Sequence, residues 1–551
     1  MTTLTGIGVG RGLAVGPVRR MADPLPEPPT TASTLGPDAE KERVTHALAA
    51  VADDIRARAA QAGGTAGDVL EAQALMVDDP TLRADIDSRI DRGSTAERSV
   101  FDAFAVFIDM LAGMGEYMAG RVSDLRDLSQ RTLARLLGVP APAVPHDDAP
   151  FVLVARDLAP ADTALLDISR VLAIVTAEGS RSTHTAILAG EKGIPAVVGM
   201  ASAADIADGA TVIVDAGAGT VEVDPSAEAV AAAERRVAER ASRATATGPG
   251  ALADGTAIPL RANLGSSEGV DKAVAAGADG VGLFRTEFLF LDAPDAAPSV
   301  DVQRAAYSAV LAGFPGQKVV VRVLDAGADK PLKFLNADEE ENPALGLRGI
   351  RNLRAKEEVL RDQLTALAQA AAENEADAWV MAPMIATVEE TRYFVALAKE
   401  LGLKTAGVMV EVPSAALLAD RILAEADFAS IGTNDLTQYT MAADRMLGSV
   451  AALQDPWHPA VLRLVGEVGA AGARHGKPVG VCGEAAADPK LAVVLVGLGV
   501  TGLSMSPPAI ADVRDELARW TLDGARAAAA AALDAEDAAD ARAAVEALSP
   551  S

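Results

Sequence analysis

Eight short runs in the second half of the chain each begin apolar and end on a polar or reactive residue. They are IPLRAN, GVGLFRTEF, VVVRVLD, WVMAPM, GVMVEVP, FASIGTND, PVGVCGE and GLSMS, all after residue 251, and helical patterns separate most of them. Eight βα units in about 300 residues imply a (β/α)8 barrel, a fold of ~250 residues that tolerates insertions. Such a barrel carries its chemistry at the C-terminal ends of its strands, so the polarity of each run says where to look.

The first half is organised differently, and 551 residues are too many for one core. TGIGVGRGLAVGPVRR (5–20) reads as a Gly-punctuated strand region. From about 36 to 138, apolar residues recur at helical spacing with few glycines. A Pro-rich connector (139–150) leads to FVLVA, VLAIVTA and ATVIVDA, a small α/β unit, and an Ala-rich helix follows. The expected fold class is therefore α/β. Residues 1–22 and 140–224 form one α/β domain, with an all-helical subdomain inserted at 23–139. A linker helix spans 225–250 and the barrel spans 251–551.

Composition narrows the function. A net charge of −28 opposes a nucleic-acid surface, which needs clustered cations, and leaves room for a basic partner protein. The single cysteine, Cys482, cannot form an intramolecular disulfide, which points to a reducing cytoplasm. The N-terminus lacks a signal-peptide pattern, and no apolar run approaches the ~18 residues of a membrane helix. A cytoplasmic protein without membrane or nucleic-acid partners is expected.

The strand ends offer Arg285, Arg322, Glu411, Asn434, Asp435 and Cys482, with Arg348 and Arg445 just beyond. Guanidinium groups bind phosphate and carboxylate in bidentate fashion. Glu411 and Asp435 on adjacent strands suit Mg²⁺, which prefers hard oxygen ligands and bridges to substrate phosphate. Taken singly, such an Arg is a surface ion pair, such a Cys a small core hydrophobe, and a Glu–Asn–Asp set a cap. Their recurrence at corresponding ends of successive strands favours a site. His184, in GSRSTHTAI, is open to two readings. It is either a first-turn residue behind a Ser182 or Thr183 cap, or an imidazole held where a helix N-terminus stabilises phosphate.

Nearly the full length resembles Enzyme I of the bacterial phosphotransferase system, the phosphoenolpyruvate–protein phosphotransferases. The resemblance rests on GIGVGRGLAVGPV, VLEAQALMVDDPTL, RVSDLRDLSQRTLARLLG, GSRSTHTAI, GVGLFRTEFLF, DKPLKFLN, ENPALGLRGIR, SIGTNDLTQYT, AADR and VCGEAAAD. It implies that His184 is phosphorylated on Nε2, and that Arg285, Arg322, Asn434 and Arg445 bind phosphoenolpyruvate with Arg348 in support. It further implies Mg²⁺ on Glu411 and Asp435, with Cys482 as proton donor to the enolate, giving pyruvate. The phosphoryl group would pass to a histidine of the carrier protein HPr, docked on the helical subdomain at Gln73, Met76, Asp79 and Leu82. Periodicity alone equally allows Met76 and Leu82 to be internal core. A homodimer through the barrel, and a hinge between the phosphohistidine and barrel domains, are implied as well.

The chain departs from the family pattern in three places, one being that ILAGEKGIPA lacks the Arg often found after the helix's first turns. GSRSTH stands where Gly-Gly-Arg-Thr-Ser-His is usual, and GADK where Gly-Gly-Asp-Lys is usual. Ala tolerates positive φ poorly, so the second loop is expected to sit differently. None of the three removes a chemical group named above. A phosphate dikinase would need a large ATP-binding domain that the helical first half does not supply. A silent regulator would have no use for a proton donor.

Overall fold

The computed structural model describes residues 2–10, 12–62, 64–112, 122–145, 147, 149–158, 166, 169–179, 185–186, 189, 193–243, 248–291, 296–326, 332, 334–335, 340–445 and 447–550. Two compact units divide the chain, Met1–Glu239 and Arg240–Ser551. The division falls inside the helix Ala227–Arg243, within the segment 225–250 expected to be a linker.

The first unit contains an eight-stranded sheet of order β1-β8-β7-β3-β4-β5-β6-β2. Its strands are β1 (Thr2–Thr5), β2 (Ile7–Val9), β3 (Leu13–Arg20), β4 (Phe151–Ala155), β5 (Val171–Thr176), β6 (Ala196–Val198), β7 (Thr211–Asp215) and β8 (Thr220–Val223). The parallel strands β3 to β6 occupy the middle, and β4 is buried along its whole length. Val152 and Val154 join one apolar cluster while Phe151, Leu153 and Ala155 join another. This two-sided burial explains why FVLVA reads as a continuous apolar run rather than an alternating one.

Between β3 and β4 lies a helical module with its own core. It includes Pro37–Ala62, Gly64–Val77, Pro80–Asp91, Ala96–Ala112 and Val122–Leu137. Val44, Leu48, Val51 and Ile55 line one face of the first helix at the 3-and-4 spacing that periodicity predicts.

The second unit is a closed barrel of eight parallel strands. They are β9 (Leu260–Leu264), β10 (Gly280–Phe284), β11 (Lys318–Arg322), β12 (Asp377–Ala382), β13 (Thr405–Val410), β14 (Ala429–Ile431), β15 (Val479–Val481) and β16 (Gly502–Met505). They match the eight runs read from the sequence, and β16 pairs with β9 to close the ring. A strand has a side-chain period of two, so alternate residues face the helices and the lumen. Val319 and Val321, Val380 and Ala382, and Val408 and Val410 pack outward into the large core beneath the helices. Between them Val320, Met381 and Met409 meet Leu283, Phe428 and Cys482 in a separate apolar cluster that fills the lumen. The same alternation turns Lys318 and Arg322, at the two ends of β11, to the inside.

Candidate active site

The C-terminal ends of the strands gather the barrel's candidate residues. Arg322 ends β11, Glu411 follows β13, Cys482 follows β15 and Arg285 follows β10. Asn434 and Asp435 open the helix Thr433–Met441 after β14. Arg348 precedes the helix Ile350–Ala355, and Arg445 follows the turn after Met441.

Carboxylates hold the arginines in place. Arg348 donates to both oxygens of Asp435 (2.8 and 3.1 Å) and both of Asp325 (3.3 and 3.2 Å). Arg322 reaches Glu287 at 2.8 Å and Asp325 at 3.1 Å, so Asp325 bridges the two guanidiniums. Arg445 stands 3.6 Å from Asp435. Burial works against both the Arg322 and Arg348 charges, yet the surrounding carboxylates hold each more firmly protonated than a free arginine. Two buried atoms of this network keep spare hydrogen-bonding capacity, Arg322 Nε and Glu287 Oε2.

Glu411 is the odd member. It is 1% exposed, and burial, then the charges of Asp435 and Asp325, push its carboxyl up to about 8. Its Oε1 accepts from the backbone N–H of Met384 at 2.6 Å. Met384 takes a left-handed backbone (φ +57°), uncommon for a side chain of its size and a strain that the surrounding packing sustains. On the other side Gly432 leaves Glu411 room, since a Cβ there would stand 2.7 Å from its Oε2.

Cys482 is buried at the top of the lumen cluster, 3.6 Å from the Ile431 carbonyl that its thiol faces. Burial pushes the thiol up to about 11, despite the Ser430 hydrogen bond and the Arg322 and Arg285 charges acting the other way. It is therefore a protonated thiol at neutral pH. Asn434 is fixed by its Oδ1, which accepts from Glu484 N–H at 3.1 Å and ties the β14 loop to the β15 loop.

Several contributors went unassigned in the sequence. Glu287 and Asp325 lie inside the quoted runs FRTEF and VRVLD, and their position three residues after or near a strand-end arginine was the available signal. Thr286 and Gln363 brace the same region. Thr286 Oγ1 donates to the Arg322 carbonyl, and Gln363 links Thr286, Tyr307 and Leu324.

The helical-subdomain residues fare less well. Gln73 is fully buried, and among the described residues neither end of its amide has a hydrogen-bond partner. Leu82 starts the buried stripe Leu82, Ile86, Ile90 of its helix. Neither presents its side chain to a partner, which corrects the expectation. Met76 packs against the module's core, and Asp79 caps the helix Pro80–Asp91 by accepting from Thr81 N–H and Leu82 N–H. Those backbone bonds, the Leu82 one foremost, hold its carboxyl below its usual range. On this stretch Leu75 is the exposed apolar side chain (69%), with Glu71 and Asp78 exposed nearby. His184, with Arg181, Ser182 and Thr183, lies outside the described residues, as does the GADK segment beyond Ala326.

Three family models cover most of the chain. They are the PEP-binding domain of PEP-utilising enzymes (residues 239–522), the N-terminal domain of such enzymes (5–121) and their mobile domain (148–219). A phosphoenolpyruvate-protein phosphotransferase of Streptomyces coelicolor is 54% identical over 551 residues, covering 99% of both chains. A protein of the same description from Bacillus subtilis is 38% identical, covering 94% of this chain and 95% of its own. Among solved structures, an NMR structure of an Enzyme I protein aligns to 43% of this chain and 98% of its own, at 27% identity and a TM-score of 0.37.

Proposed function

The chain belongs to the phosphoenolpyruvate-utilising enzymes, and from that footing we propose that it moves a phosphoryl group from phosphoenolpyruvate to protein through His184. The observation that carries the reading is the buried set of Arg322, Arg348, Asp435, Glu411 and Cys482 at one end of the barrel. Arg285, Arg322 and Arg445 bind the phosphate and carboxylate, with Asn434 at the edge and Arg348 in support. In the reaction the phosphate's bond to the enol oxygen breaks and a bond to His184 Nε2 forms, in line. Guanidinium charge stabilises the phosphoryl group as it moves. The enolate takes a proton at its methylene carbon from the Cys482 thiol and becomes pyruvate, and solvent reprotonates the sulfur. Phosphohistidine then passes the group to a histidine of a small carrier protein, HPr.

The donor set fits Mg²⁺. Glu411 and Asp435 are buried hard-oxygen groups; burial first, and then the charge of Asp435, raises the Glu411 carboxyl, and a dication held by the two would relieve both. Two protein carboxylates are a count Mg²⁺ ordinarily takes, the rest of its shell being substrate oxygen and water. When bound, it would offset phosphate charge. Before it binds, Arg348 holds both Asp435 oxygens by hydrogen bonds and fixes where they point.

The helical subdomain docks the carrier, with exposed Leu75 and its acidic neighbours favouring a partner that is basic and apolar in patches. A homodimer through the barrel is supported by exposed Leu345 (67%) and Leu417 (70%), and the single cysteine favours the cytoplasm as its place. Among the described residues no helix is long and apolar enough to cross a membrane.

Phosphoenolpyruvate carrying labelled phosphate, incubated with Mg²⁺ and the full chain, is expected to label the wild type and leave His184→Ala unlabelled. Equal labelling of the two would remove His184 from the scheme. No labelling of the wild type would remove the reaction.

A further inference from the structure

The opposite end of the barrel holds cations that the reaction does not use. Arg261, on β9, and Lys318, the first residue of β11, both face the lumen at the N-terminal mouth. They line a cavity of about 60 Å³ with Trp379, Phe428 and Ser430. The space exists because the inward positions of β10, β15 and β16 are Gly282, Gly480 and Gly502. It exceeds several-fold the ~10–15 Å³ that one water needs.

Neither cation is matched. Among the described residues the Arg261 and Lys318 side chains have no hydrogen bond and no ion pair, and the Arg261 Nε is buried without a partner. Lys318 Nζ instead sits 3.1 Å from the centre of the Trp379 ring. Asp279 and Asp377 attract these cations only through space, without an ion pair; Asp377 accepts from the Trp379 indole and Asp279 from the Leu260 N–H. Burial, and then the charge of Arg261, pull the Lys318 ammonium down to about 8, a sign that the two cations feel each other. A buried guanidinium without a partner is costly, and two repelling cations around one cavity are more so.

We propose that this mouth is a binding site for a small oxyanion of the inorganic phosphate class, held between Arg261 and Lys318. A tetrahedral oxyanion offers several acceptors at once to donors that come from different strands, where a monatomic anion offers one centre. The flanking Trp379 ring supplies the reporter.

The test titrates the full chain with sodium phosphate in buffer free of magnesium and chloride, following tryptophan fluorescence. A saturable change is expected, lost in Trp379→Phe and weakened about tenfold or more in Lys318→Gln, on the scale of a hydrogen bond to a charged group. Gly480→Ala fills the cavity while leaving both charges, because its new Cβ meets nothing nearer than 3.7 Å, and it too is expected to lose the response. Phosphate bound among the catalytic arginines would respond equally in wild type, Lys318→Gln and Gly480→Ala. Such superimposed curves overturn the proposal, as does an equal response to chloride at matched ionic strength.

Discussion

One strand poses the same electrostatic problem twice and solves it once. Lys318 and Arg322 sit at the two ends of β11 on its inward face, and both bring a positive charge into the lumen. At the C-terminal end Glu287 and Asp325 wrap the Arg322 guanidinium, and Asp325 shares itself with Arg348. At the N-terminal end Lys318 has an aromatic face and a repelling arginine. Barrels of this kind ordinarily keep function at the first end and stability at the second. Here the end proposed as functional holds its arginines in carboxylate pairs, so those charges are positioned before any ligand arrives, while Lys318 and Arg261 at the other end have no such pairs.

The contrast is broken most directly by removing a cation from each end. Arg348→Met leaves Asp325 and Asp435 facing each other across a buried site, and urea unfolding is expected to show a loss of about 3–5 kcal/mol. A loss below about 1 kcal/mol would mean that these pairs do not organise the end. Cys482 sharpens the picture of a dry upper lumen. With its thiol raised to about 11, iodoacetamide at pH 8 is expected to modify the folded chain roughly a hundredfold more slowly than the unfolded one. Comparable rates would show that the thiol is open to solvent and not a retained acid.

Glu411 gives a signed pH dependence. Its carboxyl is raised in the fold from the usual carboxylate range to about 8, so between those pH values the folded chain holds a proton that the unfolded chain has lost. Its contribution to stability is complete below about pH 4.5 and is lost as pH rises through about 8. Without Mg²⁺, Glu411→Gln is therefore expected to gain in Tm over the wild type as pH climbs from 5 to 8. A constant gap across that range would show that Glu411 is already ionised. The smallest effect belongs to the other end. Arg261→Met breaks no pair and removes a buried charge, so it is expected to change stability by no more than about 1 kcal/mol, toward greater stability. A large destabilisation would reveal a partner for Arg261.

The barrel was legible because its strands carry two signals at once, an apolar body and a chemically distinct end. Arg322, Glu411, Asp435 and Cys482 could be read from that pattern because position on the strand fixes which mouth they line. Asp325 and Glu287 stood in the same runs but were unassigned, since closeness in sequence to a strand-end arginine is a weak mark of a carboxylate that serves by gripping one. Glu287 takes its arginine from β11, and Asp325, besides Arg322 three residues before it, takes Arg348 from a distant loop. The helical subdomain shows the opposite failure. Motif matching proposed Gln73 and Leu82 for a surface, but the phase of a helix against its neighbours decides what faces outward, and a few residues of sequence do not reveal that phase. Arg261 lies inside IPLRAN and Lys318 one residue before VVVRVLD, where nothing local separates a lumen-facing cation from a surface one.

The carboxylate-wrapped arginines of the upper end have a further consequence. Apart from Arg322 Nε, their charged ends are already paired, so a ligand there enters largely by exchange, taking over donors that Asp325, Asp435 and Glu287 give up. An anion arriving alone strands those carboxylates, and a cation arriving alone competes with the guanidiniums for them. Only a guest that carries charges of both signs leaves every internal group with a partner, so the resting site acts as a filter for ion-paired visitors.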